Sequence, residues 1–446
     1  MTTGDLFGGL FVPEGLRVAV SGRAWVQGML EFEAALARAE ASVGLVPADA
    51  AAAIATAAAQ TDRYDPAELG LEGRGAGNPA VPLVRALTAA VEGDAAGHVH
   101  RGATSQDVMD TAAALVGRRA VGLIDEELAA VAARLASLAD EHRGSVMPGR
   151  TLLQQALPTT FGLKAAGWLV AVVDARARLA AVPFAVQLGG ADGTLASLGG
   201  AGTDVLAALA AELDLDEPTV PWHTDRGRVG QLAAALALTA GTVEKVARDI
   251  VLLAQTEVGE VAEASGGGRG GSSTLPHKRN PVGSTLAIAC ARRVRGEASI
   301  LMGAMAQEHE RAAGAWQAEW EAMSGALAHT GGAAASLREA LEGLEVHPER
   351  MRENLDATGG LIMAEAVATS LTEGGMGRSE AHDLVQAVSV RATEGGRALG
   401  DELREDTQVS SLLSSEQIDR ALDPAAYLGA TDAFVDRALA RFEAPA

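Results

Sequence analysis

A glycine-rich segment past the middle of the chain is followed by a cluster of chemically useful side chains. Residues 265–281 read SGGGRGGSSTLPHKRNP, with Ser272, Lys278 and Asn280 after the first glycines. Glycine permits backbone conformations that other residues resist, so the pattern predicts a mobile flap with a proline-bracketed hinge. Asn280 and Pro281 match an N-cap and a first helical residue. The free N–H groups of this helix, with Lys278, predict a site that stabilises a negatively charged oxygen.

A second polar segment lies at residues 98–107. Thr104 and Asp107 have the spacing of a capping box that opens a long helix. The segment can be a helix cap and nothing more. Alternatively, its hydroxyls and free N–H groups bind a carboxylate, since a helix start attracts anions. The candidate binding residues in this segment are His100, Arg101, Thr104 and Ser105.

Two further segments carry an arginine beside other polar groups. Arg150, Thr151 and Gln154 could hold an anion, although by themselves they match an ordinary polar turn. Arg311 follows Glu308, His309 and Glu310, and the simplest interpretation of that run is a solvated surface with the arginine paired to an acid.

Metal and nucleotide cofactors are not expected. His98 and His100 lack an acidic or cysteine partner at a ligand spacing, and no Gly-Lys-Ser/Thr follows the flap glycines.

Long helices must position these groups. Proline is absent between Pro82 and Pro148, between Pro221 and Pro276, and between Pro281 and Pro348, and apolar residues recur there at helical spacing. Short strands are expected near 146–157 and 184–196. The predicted long helices cover 104–143, 226–264, 282–310 and 312–344. The fold is predicted to be all-α, with an N-terminal helical domain (1–103), a central long-helix bundle (104–349) and a C-terminal helical domain (350–446).

The composition of the chain argues against several classes of function. A formal charge of −22 over 446 residues argues against nucleic-acid binding and requires a locally basic pocket for any anionic substrate. No apolar run is long enough to predict a membrane span, and the N-terminal residues do not match a secretory signal. Cys290 is the single cysteine, which fits a reducing cytoplasm.

Taken together, these segments resemble the fumarase/aspartase superfamily. The similarity lies in GSSTLPHKRNP at 271–281, HRGATSQDVMDT at 100–111 and GRTLLQ at 149–154, and it spans essentially the whole chain. The resemblance implies the three-domain fold, a homotetramer whose long helices form a shared central bundle, and active sites each assembled from three subunits. It also implies a catalytic Ser272, with Lys278 and Asn280 holding a substrate carboxylate.

One departure from the superfamily pattern bears on the reaction. Its lyases carry histidine directly after the threonine of the GRT segment, and this chain has Leu152. Expelling an amine or hydroxide benefits from a general acid, whereas a carboxylate leaves unaided because its conjugate acid has a pKa of about 4. The missing histidine therefore favours lactone opening or closure. TLLQQALPTTFG, PWHTDR and EHERAAGAWQAEW are similar to the superfamily's 3-carboxy-cis,cis-muconate cycloisomerases, which implies a tricarboxylate substrate and a carboxylate-binding Arg311.

Alternatives stay open. Ser272 is the first candidate for proton transfer, and Lys278 the second if a closed flap favours its neutral amine. The chain could instead be an adenylosuccinate lyase-like enzyme that releases fumarate, because that branch shares PHKRNP. It could also be a non-catalytic structural protein, like the crystallins derived from this superfamily, although the retained Ser272 and Lys278 argue against that.

Overall fold

The computed structural model describes residues 6–264, 270–271, 275 and 277–444, and most of them are helical. The all-α class predicted from the sequence is confirmed. Up to the first strand the helices are α1 (Gly8–Phe11), α2 (Glu14–Ala19), α3 (Gly22–Ser42), α4 (Ala48–Ala58), α5 (Pro66–Gly73), α6 (Ala80–Ala90) and α7 (Ser105–Glu141). The remaining long helices are α8 (Phe161–Ala180), α9 (Gly202–Leu213), α10 (Gly227–Leu253), α11 (Val282–Gly303) and α12 (Ala315–Glu342).

Shorter helices complete the carboxyl-terminal part. They are α13 (Pro348–Asp356), α14 (Ala364–Glu373), α15 (Arg378–Gly395), α16 (Leu399–Glu405), α17 (Thr407–Leu412), α18 (Ser415–Ala421) and α19 (Thr431–Glu443). Capping residues explain several starts: the Asp406 carboxylate accepts from the first N–H groups of α17, and Ser414 with Gln417 forms a capping box on α18.

The chain divides into two compact units. The first comprises Met1–Ala129, Ala175–Lys245 and Leu286–Leu337, and the second comprises Ala130–Asp174, Val246–Thr285 and Arg338–Ala446. Each has its own apolar core, built mostly from alanine, leucine and valine. Small side chains let helices approach closely, in keeping with the low aromatic content. The three-domain division predicted from the sequence stays a prediction.

Strands are confined to short pairs within the described residues. In the second unit, β1 (Val146–Thr151) and β2 (Gln154–Thr160) form an antiparallel hairpin, and β3 (Val261–Ala262) pairs with β4 (Glu345–Val346). The hairpin confirms the strand expected near 146–157. The strand expected at 184–196 is wrong: that stretch contributes an isolated bridge between Ala185 and Asp216.

Two predicted helices end early. The helix predicted to 264 stops at Leu253, and the chain then turns through Gly259 (φ 64°), so that the Glu260 N–H donates to the Leu253 carbonyl. The helix predicted to 310 stops at Gly303. The residues between α11 and α12 are therefore a loop, and Arg311 lies in it.

None of the helices in the described part of the chain is long and apolar enough to cross a membrane.

Candidate active site

The start of α7 presents hydrogen-bond donors that have no partner in the described part of the chain. The Asp107 carboxylate accepts from the Thr104 N–H at 2.9 Å, which confirms one of the two bonds of the predicted capping box. The Thr104 hydroxyl makes no hydrogen bond to a described residue, and the N–H groups of Ser105 and Gln106 have no acceptor there either. Because the first N–H groups of a long helix carry partial positive charge, this start can receive an anion.

Asp107 also ties a second loop to this helix start. Its buried carboxylate accepts from the backbone N–H groups of Gly189 and Gly190, each at 3.0 Å, and lies 2.7 Å from His223 Nε2. Gly190 has φ 69°, and a Cβ there would lie 3.0 Å from the Gly102 carbonyl oxygen. The loop thus packs directly against the residues that precede α7.

Arg311 brings a positive charge to this loop. Its Nε donates to Gln106 Oε1 at 3.2 Å, and its Nη2 donates to the Ala191 carbonyl at 3.1 Å. Within the described residues no carboxylate lies within ion-pair distance of its guanidinium. The simplest interpretation of the sequence, an arginine paired with a neighbouring acid, is therefore wrong.

The side-chain amide of Gln106 is itself held in one orientation, which turns its oxygen towards Arg311. Its Nε2 donates to Asp110 Oδ2 at 3.1 Å and to the His223 carbonyl at 2.8 Å. Both amide hydrogens are used by these acceptors, so Oε1 must be the atom that faces Arg311.

A buried ion cluster fixes Asp110 in turn. Arg226 donates to both Asp110 oxygens (2.8 and 3.0 Å) and to both Glu319 oxygens (3.0 and 2.6 Å), and each of the three residues is only 2% exposed. Burial opposes the charge on Arg226, but the two carboxylates raise its pKa above the ordinary value. Burial raises the pKa of Glu319 despite the arginine. Trp316 Nε1 adds a bond to Asp110 at 3.0 Å. Arg226 is thus committed to this cluster and unavailable to a substrate.

His100 and Arg101 belong to the same unit as Arg311. His100 Nδ1 lies 2.7 Å from Glu33 Oε1 of α3, and Arg101 donates to the Leu45 carbonyl at 2.6 Å. The sequence prediction overlooked Glu33. The signal was present, because Glu33 and Glu40 are the acids on the otherwise apolar face of α3, seven residues apart.

The second unit holds another group of predicted residues. Arg150 forms a two-bond ion pair with buried Glu260, at 2.9 and 2.7 Å, and Asn354 donates to the same carboxylate at 2.7 Å. Thr151 and Gln154 are exposed and face each other across the end of the β1–β2 hairpin. An incoming carboxylate would have to compete with Glu260 for Arg150.

The tip of that hairpin is apolar. Leu152 and Leu153 form the two-residue turn with left-handed φ angles of 51° and 65°, and they are 97% and 74% exposed. Leucine is unusual at such positions, where asparagine and glycine are favoured.

The flap is described in part. Ser272 lies outside the described residues, whereas Lys278 is described and exposed. The Asn280 side chain donates to the Gly270 carbonyl at 3.1 Å. The first-turn N–H groups of the following helix that the structure describes donate to Glu263 and not to the Asn280 side chain, contrary to the N-cap predicted from the sequence.

The start of α11 is closed by a carboxylate of the chain itself. Glu263 accepts from the N–H groups of Gly283 and Ser284, both at 2.9 Å. The helix begins at Val282, the start of the range predicted from the sequence. The helix donors expected to serve an anion here are therefore occupied by Glu263, while the roles of Ser272, Lys278 and Asn280 stay predictions.

The predicted residues thus fall into two groups. The first unit brings together His100, Arg101, Thr104, Ser105 and Arg311. The second contains Arg150, Thr151, Gln154, Lys278 and Asn280. No cluster of three or more His, Cys, Asp or Glu side chains able to hold a metal ion is found among the described residues.

Comparison with known proteins places the chain among lyases. A family model described as lyase matches residues 15–296, and one described as the adenylosuccinate lyase C-terminus matches residues 360–438. The chain belongs to the fumarase/aspartase superfamily. The helix starts and the hairpin described above are therefore features of a fumarase/aspartase chain.

Individual relatives of this superfamily member cover nearly its full length. The 3-carboxy-cis,cis-muconate cycloisomerase of Pseudomonas aeruginosa is 48% identical over 446 residues, covering 99% of this chain and 97% of that protein. A crystal structure of the 3-carboxy-cis,cis-muconate lactonizing enzyme of Pseudomonas putida matches with a TM-score of 0.93 and 45% identity, covering 98% and 99% of the two chains. The nitrosuccinate lyase of Streptomyces davaonensis is 46% identical, covering 95% and 92%.

Proposed function

We propose that this chain is a cycloisomerase that interconverts 3-carboxy-cis,cis-muconate and 4-carboxymuconolactone, a step of protocatechuate degradation. The observation that carries the proposal is the open start of α7. Among the described residues the Ser105 and Gln106 N–H groups have no acceptor, and the Gln106 side chain contacts Arg311, a guanidinium without a carboxylate partner there. A tricarboxylate is the kind of substrate that such a pocket suits. The cycloisomerase relatives at 46–48% identity support the choice of reaction.

The reaction forms a ring through the substrate's own carboxylate. A carboxylate oxygen attacks a carbon of the neighbouring double bond, and the π electrons move towards a second carboxylate to give an aci-carboxylate. A proton then adds to the carbon beside that carboxylate. Neither direction requires protonation of the leaving group, which fits Leu152 in place of the acid of the related lyases.

Positively charged groups and hydrogen-bond donors would orient the substrate carboxylates and stabilise the negative charge of the aci-carboxylate. Arg311, Thr104, Ser105 and the α7 N–H groups would bind carboxylates of the substrate, and the aci-carboxylate would gain most from donors already in place. Ser272 or Lys278 would transfer the proton, with Asn280 beside them. Arg150, Thr151 and Gln154 would contribute to the same site if Arg150 can exchange Glu260 for substrate. No cofactor enters this scheme.

We extend the proposal to a cytoplasmic homotetramer whose active sites are shared between subunits. Adjacent exposed apolar side chains are often found where another chain packs against the surface. Leu152 and Leu153 form such a pair at the hairpin tip, next to Thr151 and Gln154. Light scattering of the purified protein tests the assembly state, and a monomer at micromolar concentration would contradict it.

A superfamily lyase is the second candidate. It is favoured by the nitrosuccinate lyase relative at 46% identity and by the adenylosuccinate lyase C-terminal match. Leu152 argues against it, because a C–N lyase benefits from an acid at that position. Release of fumarate from adenylosuccinate, or consumption of nitrosuccinate, at a rate exceeding lactonisation would favour the lyase.

The deciding assay follows the ultraviolet absorbance of 3-carboxy-cis,cis-muconate, whose conjugated diene is lost on lactonisation. We expect absorbance to fall with purified protein and product to accumulate in equal amount. An Arg311→Met variant is the matched control for contaminating activity. No change with folded wild-type protein would contradict the proposal and would favour a lyase or a structural protein.

A further inference from the structure

Helix α3 places two carboxylates in the apolar interior of the first unit. Glu33 is 1% exposed and Glu40 is fully buried, and their spacing of seven residues places them on the same side of the helix. Glu33 Oε2 and both oxygens of Glu40 have no hydrogen-bond partner in the described structure. Burying an unpaired carboxylate destabilises a fold strongly, so these positions call for a functional reason.

The group that faces them is His100. Its backbone adopts a left-handed conformation (φ 58°), uncommon outside glycine, and this holds the ring 2.7 Å from Glu33 through Nδ1. The ring is 20% exposed, and Nε2 makes no hydrogen bond to any residue described in the structure. A carboxylate bound at Nδ1 fixes the imidazole and leaves Nε2 available to another group.

The surrounding charges favour the imidazolium. Burial lowers the pKa of His100, but Glu33, Asp107 and Glu40 together raise it above the ordinary value. Burial raises the pKa of Glu40 to about 7, although Arg101 and His100 oppose that change. Glu33 and Glu40 face the ring from α3 and Asp107 from the start of α7, while Arg101 adjoins it in sequence.

We propose that Glu33 is a positioning residue that keeps His100 protonated and turns it to contact a substrate carboxylate beside Thr104 and Ser105. This inference rests on the proposed tricarboxylate substrate. Below the raised pKa the imidazolium attracts the substrate. As pH rises through it, the ring loses its charge while Glu40 gains one, so substrate affinity falls. KM should therefore increase with pH, and kcat should change less.

Steady-state kinetics between pH 6 and 9 test this through Glu33→Gln, which keeps the shape of the side chain and removes its charge. We expect the rise in KM to begin about one pH unit lower in Glu33→Gln, so that KM is a few-fold higher at pH 7 and about tenfold higher at a pH above both pKa values. His100→Asn should show a much smaller rise, because only Glu40 still titrates there. The double variant should match His100→Asn alone, because Glu33 acts through the histidine. Exposed Glu72→Gln is the matched control.

Two measurements that do not depend on turnover test the role of Glu33 independently of the proposed reaction. Nuclear magnetic resonance titration of His100 should give a pKa above 6.5 in wild type and a lower one in Glu33→Gln. Calorimetry with tricarballylate, a non-reacting tricarboxylate, should show binding that weakens with pH in wild type and is weaker at pH 7 in Glu33→Gln. If Glu33→Gln fails to fold, the wild-type titration and His100→Gln decide. An unchanged His100 pKa, or additive losses in the double variant, would overturn the inference even if lactonisation is observed.

Discussion

Two long helices of this chain begin with sequences that predict an anion site, and only one start is open. At α7 the N–H groups of Ser105 and Gln106 have no acceptor among the described residues, and Arg311 lies beside them. At α11 the N–H groups of Gly283 and Ser284 are bonded to Glu263. A helix start binds a ligand only where the fold leaves its donors free.

The two helix starts differ because the acid beside each start occupies a different position relative to the helix. Asp107 of α7 lies inside the helix and turns its carboxylate back to Thr104 and outward to Gly189 and Gly190. It therefore leaves the next two N–H groups free. Glu263 approaches α11 from outside the helix, after β3, and takes the donors of the first turn. A carboxylate thus supports one site and blocks the other.

The largest effect is expected from removing the positive charge of Arg311 at the start of α7. Arg311→Met should lower kcat/KM for lactonisation by about 10³-fold, or about 4 kcal/mol, because the substrate carboxylate loses a charged two-bond partner. Arg311→Lys should recover part of the loss, since it keeps the charge without the fork. Wild-type kinetics in Arg311→Met would mean that the open start is not the substrate site.

The ion cluster beneath the open start should be required for stability. Asp110→Asn leaves Arg226 with one carboxylate and removes the acceptor that orients Gln106, so we expect the free energy of unfolding to fall by about 3 kcal/mol. Urea unfolding measures the change, and exposed Asp62→Asn is the matched control. A higher KM in the surviving folded protein would show that Arg311 loses its orientation. Unchanged stability would contradict the role given to the cluster.

Opening the closed start should have a smaller effect. Glu263→Gln weakens two charge-assisted bonds at the first turn of α11, and we expect a loss of about 1–2 kcal/mol in unfolding free energy. Exposed Glu373→Gln serves as the control in the same unit. Stability equal to that of the control would mean that Glu263 does not close this helix, and that the sequence interpretation of α11 deserves to be restored.

Local patterns predicted the helices and the hairpin well. The window free of proline after Pro82 contains α7, and Thr104 with Asp107 marks its start correctly. The end of α10 at Leu253 was missed because the residues that follow it keep helical apolar spacing. Local rules therefore place the elements, although they misplace some of their ends.

The candidate site depends on contacts between residues far apart in the sequence, which local sequence patterns do not predict. Asn280-Pro281 is a sound cap signal, yet Glu263 reaches the helix first from about twenty residues upstream. Arg311 looked like a surface residue until Gln106 and Ala191, both more than a hundred residues away, were found to hold it. The pairing of Glu33 with His100 likewise spans separate segments and could not be derived from spacing.

The comparison of the two helix starts is tested most directly by a crystal structure of the protein with tricarballylate bound. We expect a carboxylate within hydrogen-bond distance of the Ser105 and Gln106 N–H groups and of Arg311, with Glu263 still bonded to Gly283 and Ser284. A ligand carboxylate at the start of α11, with Glu263 displaced and the start of α7 empty, would contradict this.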